Sequence, residues 1–202
     1  MERNTTENRS KAVWGARIAL AAFVVLTLLA AASCSQAIRT GQSPGYLVIN
    51  TLEGAQGTGE FGSTLESDVI SDSGAIVADR GQASLQLVMK DPLASPSPAN
   101  AITIDQYHVE YIRSDGRNAQ GIDVPYAFDS AVTATVSGSA SVPFTLVRIQ
   151  AKQEAPLAAL ARGGGARAIT TIARVTFYGH DQNGREVSVT GNIEVTFADW
   201  VG

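Results

Sequence analysis

The stretch "ITTIARVTFYGHDQNGREVSVTGNIEVTF", residues 169–197, decides the fold. Ala173, Val175 and Phe177 share one face of its first half, and Val187, Val189, Ile193, Val195 and Phe197 share one face of its second. A period of two is that of a strand with one face in the core. The halves meet at Asn183-Gly184, a hairpin signal, and the loop length sets which residues oppose each other. A two-residue loop would set Phe177 against Thr190 and Val175 against Asn192, apolar against polar. A three-residue loop of Gln182, Asn183 and Gly184 sets Phe177 against Val189, Ala173 against Ile193 and Asp181 against Arg185, with Gly184 in the left-handed conformation. The second register is the expected one, and it places this hairpin at the centre of the core.

Outward from the hairpin, short apolar or alternating runs are separated by clusters of Gly, Asp, Asn, Pro and Ser, the pattern of an all-β sandwich or barrel. Strands are expected over 45–52, 70–77, 83–90, 102–113, 132–137, 142–152, 169–180 and 185–197, seven or eight in all. "DPLASPSPAN" (91–100) carries three prolines and so connects strands rather than forming one. "EAPLAALARGGGA" (154–166) is the helical candidate outside the leader, at most two turns long, entered near Pro156 and stopped by the glycines. Ile102 and Ile104 share one parity while Tyr107, Val109 and Tyr111 share the other, so a β-bulge near Asp105 and Gln106 is expected. Whether this aromatic strand is central or at an edge the pattern leaves open. The layout resembles an immunoglobulin-like antiparallel sandwich in architecture, without that family's disulfide, core tryptophan or tyrosine-before-cysteine.

The amino-terminal 33 residues have a different character. A polar start with Arg3, Arg9, Lys11 and Arg17 leads into an apolar run over 18–32, broken only by Thr27, and small residues precede Cys34. That is the layout of a helical export signal, slightly short of the roughly 18–20 apolar residues that span about 30 Å of hydrocarbon. Ala31-Ala32-Ser33-Cys34 resembles the lipobox of bacterial lipoproteins, with Ala31 where leucine is commonest. The resemblance implies cleavage before Cys34, the chain's only cysteine, and acylation of its thiol. Each buried methylene contributes about 0.8 kcal/mol and one chain holds a protein only marginally, so several chains on Cys34 would make the anchor lasting. By the same resemblance, Ser35 in place of aspartate permits transfer to the outer membrane. The expected organisation is a signal peptide (1–33), a lipidated cysteine and polar tether (34–44), and one β-sandwich domain (45–202).

The whole chain carries a net charge of −4, and removing 1–33, with four basic residues against Glu2 and Glu7, leaves it more acidic. Phosphate neutralisation, and with it nucleic-acid binding, is disfavoured. No cofactor is expected, and the chain does not read as an enzyme: its two histidines, His108 and His180, lie beside Glu110 and Asp181 in spacings that match no ligand or triad motif. "GAQGTGEFG" (54–62) lacks the helix a phosphate loop needs, and "RGGGAR" (162–167) occurs once. Both are expected to be loops. Asp115, Asp123 and Asp181 are the residues a calcium site would use, although none sits in the D-x-[DN]-x-[DN]-G spacing. The loop "SDGRNAQGIDVPYAF" (114–128) mixes charge with aromatic side chains, and Arg117, Tyr126 and Phe128 are its candidate partner contacts. The expectation is therefore an envelope lipoprotein, facing the periplasm or the surface, whose sandwich meets an envelope protein partner. Calcium or carbohydrate binding by the end loops is the alternative.

Overall fold

The computed structural model describes residues 43–57, 59–161 and 167–200. The expected signal segment, Cys34, most of the expected tether and the glycine run at 163–165 lie outside the described residues. Among those described, period-two alternation builds nine strands: β1 (Gly45–Ala55), β2 (Phe61–Gly62), β3 (Thr64–Asp68), β4 (Asp79–Met89), β5 (Ile102–Ile112), β6 (Phe128–Val136), β7 (Ser139–Val147), β8 (Ile169–Asp181) and β9 (Glu186–Ala198). They form two sheets, β2-β1-β4-β7 and β3-β9-β8-β5-β6, antiparallel except for β3 beside β9. The two apolar faces meet in a sandwich core.

The β8–β9 hairpin adopts the expected register, with Phe177 opposite Val189 and Ala173 opposite Ile193. Gly184 has φ 75°, and the Asp181 main chain receives the Gly184 N–H at 2.9 Å and donates to the Arg185 carbonyl at 3.0 Å. The expected bulge is present as well: between Ile104 and Gln106 the register of β5 shifts against both of its neighbours. Those neighbours, β8 and β6, make β5 a central strand, and Tyr107, Val109 and Tyr111 point into the core. Next to the bulge, Gly179 faces Ile104, and a Cβ there would run into the Thr103 carbonyl. Only glycine lets β8 follow the displaced backbone of β5.

Phe177 is fully buried and packs edge-on against Phe144 of the other sheet, centroids 5.4 Å apart, while Tyr107 sits 5.5 Å from Phe144 and 6.1 Å from Phe177. Each such buried ring contributes about 1.5–3 kcal/mol from area alone. Two tyrosines of β5 also bond across the sandwich to the edge strand β7. The Tyr107 oxygen accepts the Thr145 N–H at 3.0 Å, and the Tyr111 hydroxyl donates to the Leu146 carbonyl at 2.7 Å.

Several expectations need correction. Residues 70–77 are not a strand: the Ser71 N–H and hydroxyl both bond the Ala75 carbonyl, and Gly74 has φ 80°, so the segment is a turn. The strand expected over 142–152 ends at Val147, and a one-turn helix α1 (Ile149–Gln153) follows it. The helix expected over 154–166 is reduced, among its described residues, to a 3₁₀ turn at Leu157–Ala159. The glycine-rich stretch at 54–62 is not wholly a loop, because Phe61 and Gly62 pair with Ala55 and Gly54 at the end of β1, and β3 follows.

Helix α1 buries Ala151 and Lys152. Lys152, 2% exposed, donates from Nζ to the Asp68 carbonyl at 2.7 Å and to Asp79 Oδ1 at 2.9 Å, and Ser67 Oγ donates to Asp79 Oδ2 at 2.6 Å. Burial pushes the Asp79 carboxyl up from its ordinary range, against the opposing pull of Lys152.

Candidate functional site

The sandwich has two distinguishable ends. The described chain enters at Ser43, and Gly45 opens β1 opposite Met89. A Cβ on Gly191 would lie 2.8 Å from Ile49 and 3.2 Å from Leu52, and one on Gly54 would lie 2.8 Å from Leu65, the partner of Val195. β1 and β9 therefore run in the same direction, and Gly45 lies level with Glu186, beside the turn at 182–184. β5 starts at this entry end, Ile102 opposite Asp181, and finishes with Ile112 opposite Ile172. Its eleven residues carry the chain roughly 35 Å to the far end.

At that far end β5 gives way to the loop 113–127, which bonds itself into shape. Asp115 accepts from Arg113 through Nε at 3.1 Å and Nη2 at 2.6 Å, and from Arg117 through its main-chain N–H at 3.1 Å and its Nε at 3.0 Å. The Arg113 hydrogen bonds, joined by those of Arg117, hold the Asp115 carboxyl well below the ordinary carboxylate range. Asn118 Oδ1 accepts the Arg113 N–H at 2.7 Å, and Gln120 Oε1 accepts the Ala127 N–H at 3.2 Å. The Ala119 carbonyl gathers the N–H groups of Ile122, Asp123 and Val124, and the Val124 side chain plugs the core. Gly121, at φ 75°, leaves room for the Tyr126 ring, which touches the place a Cβ would take. Among the groups that face outward are Tyr126 at 49% exposure, Ile122 at 74%, and the Arg117 guanidinium.

Of the three candidate contacts, Tyr126 and Arg117 are thus on the surface, and Phe128 is not. Phe128 opens β6, is 5% exposed, packs edge-on against Tyr107 with centroids 6.2 Å apart, and carries the Arg148 guanidinium 4.3 Å over its ring. Its place on the inward parity of β6 makes it a core residue. Ile122 takes its place among the exposed groups; it shares the parity of Val124, Tyr126 and Phe128, so the sequence pattern did not set it apart.

The calcium candidates are not brought together. Asp115 is engaged by two arginines, Asp123 accepts the Ala119 N–H at 3.3 Å, and Asp181 sits at the opposite end of β8, where its Oδ1 caps the Asn183 and Arg185 N–H groups. Among the described residues no group of three or more His, Cys, Asp or Glu side chains is arranged to hold a metal ion. Each carboxylate serves its own turn, as Asp does in turns generally. The histidines pair across strands rather than with their sequence neighbours: His108 with Asp129 at 2.9 Å, and His180 with Asp105 at 3.2 Å. Glu110 instead meets Arg174 at 2.9 Å. These pairs lie on the outer face of the larger sheet. An open groove of about 680 Å³ runs between β1 and β9, floored by Leu47, Ile49, Leu52 and Val189.

No protein-family model matches the chain, and no curated protein matches it. Among solved structures, the X-ray structure of Northeast Structural Genomics Consortium target SoR45 is similar over 79% of this chain and 91% of that one, at 8% identity and a TM-score of 0.37.

Proposed function

We propose that the chain is a lipid-anchored envelope protein of bacteria whose sandwich is a non-catalytic binding module presenting the 113–127 loop to a protein partner. The observation that carries this reading is positional. The described chain enters the sandwich at Ser43, at the end opposite that loop, so a tether from Cys34 would join the fold away from the loop. The loop is also held in one shape by its own hydrogen bonds, which lowers the entropy cost of binding. Its outward groups, Tyr126, Ile122 and Arg117, suit the aromatic, apolar and arginine content of protein interfaces.

The strand order supports an immunoglobulin-like assignment. β1, β4 and β7 take the places of strands A, B and E, and β9, β8 and β5 those of G, F and C. The leading edge is split between the sheets, with β3 parallel to β9. On this reading the protein faces the periplasm or the cell surface from the outer membrane.

In-cell photo-crosslinking tests the contact. A photoreactive residue at position 122 is expected to give a discrete protein adduct that Tyr126→Ala abolishes, and the same probe at Asn183 none. Adducts from position 183 alone, or an adduct from position 122 indifferent to Tyr126, would overturn the assignment of the loop.

A further inference from the structure

We propose that Lys152 and Asp79 condense into an intramolecular amide that staples α1 to the start of β4. The reacting groups are already in contact, Nζ to Oδ1 at 2.9 Å, and Lys152 has almost no access to water, with its side chain 2% exposed against 16% for Asp79. The pocket around them fits the product as well as the ion pair. An amide needs one acceptor for its N–H and one donor for its carbonyl. The Asp68 carbonyl, 2.7 Å from Nζ, is the acceptor, and the Ser67 hydroxyl, 2.6 Å from Oδ2, is the donor.

The step balances without any other reactant. One ammonium proton passes to Oδ1, leaving a neutral amine and a neutral acid. The Nζ lone pair attacks Cγ, and the charge that develops on Oδ2 is held by the Ser67 hydroxyl. A second Nζ proton follows to Oδ1, the Cγ–Oδ1 bond breaks and water leaves. The third proton stays on the amide nitrogen, facing the Asp68 carbonyl. Burial, which pushes the Asp79 carboxyl up, favours the neutral acid that is attacked. Condensation also removes two charges from an environment where each is costly.

The staple would join residues 73 apart in a chain whose single cysteine allows no internal disulfide. Closing a long loop in this way restricts the unfolded chain, as a disulfide does.

Peptide mapping of the full-length protein tests the proposal. Trypsin digestion followed by tandem mass spectrometry is expected to give a branched peptide joining the segment with Asp79 to the segment with Lys152. That peptide should be lighter than their sum by one water and uncut after Lys152. Lys152→Arg is expected to return two linear segments. Cleavage after Lys152 in the unsubstituted protein, with Asp79 recovered unmodified in a linear peptide, would overturn the proposal without reference to any variant.

Discussion

Tyr111 on β5 donates its hydroxyl to the main-chain carbonyl of Leu146 on β7, 2.7 Å away, so a side chain of one sheet satisfies the backbone of the other. Burial holds this phenol far above its ordinary range, which keeps it a donor throughout the pH range of the folded protein. Tyr111→Phe keeps the ring that packs on Phe197 and leaves the Leu146 carbonyl without this donor. The expected loss is about 1–3 kcal/mol, read as a lower urea midpoint at unchanged slope.

The bulge in β5 makes a second prediction. Gly179→Ala drives a Cβ into the Thr103 carbonyl, a collision with backbone that no rotamer relieves. It is expected to destabilise by about 1–3 kcal/mol or more. Gly138→Ala, where a Cβ meets nothing within 4 Å, should leave the midpoint nearly unchanged. Equal effects of the two substitutions would remove the steric account.

Phe128 and Tyr126 are two residues apart and should behave differently. Phe128→Ala empties a core position against Tyr107 and is expected to cost about 3–5 kcal/mol. Tyr126→Ala alters an exposed ring and should shift stability little, while abolishing the crosslink from position 122. Thermal melts of the two variants check the first half of the prediction directly.

Asp115 sets a pH dependence whose sign follows from its partners. Arg113 and Arg117 lower its carboxyl pKa in the folded loop, so its contribution is present above the ordinary aspartate range and is lost as pH falls through the depressed folded value. A carbon-detected NMR titration should show Asp115 still ionised at a pH where an aspartate of ordinary pKa has taken up its proton. Asp115→Asn should loosen the main-chain bond of Arg117 at neutral pH, visible as faster amide exchange at that residue.

Much of this fold is written in side-chain parity. The register of β8 on β9 followed from Phe177, Val189 and Gly184 because only one loop length pairs apolar with apolar residues, and the bulge near Asp105 followed from the change of parity between Ile104 and Tyr107. What parity does not encode is which sheet a strand joins. β6 and β7 are joined by a two-residue turn yet lie in different sheets, β6 pairing with β5 and β7 with β4. Short strands escaped as well: β3 has only Leu65 and Ser67 inward, too little alternation to stand out from a glycine-rich neighbourhood. The loop at 113–127 was legible as a surface segment from its Gly, Asp and Asn content. The separation of Tyr126 from Phe128 was not, because it depends on where β6 begins. The buried Lys152 carried no sequence signal, its partners Asp68 and Asp79 being distant in the chain.

The central claim, an anchored sandwich displaying its far end, is tested most directly by the intact mass of detergent-extracted protein expressed in a bacterium, beside a Cys34→Ala variant. The account predicts the mass of residues 34–202 plus acyl chains, lost on substitution of Cys34. An unacylated chain that still retains residues 1–33 in both proteins would contradict it.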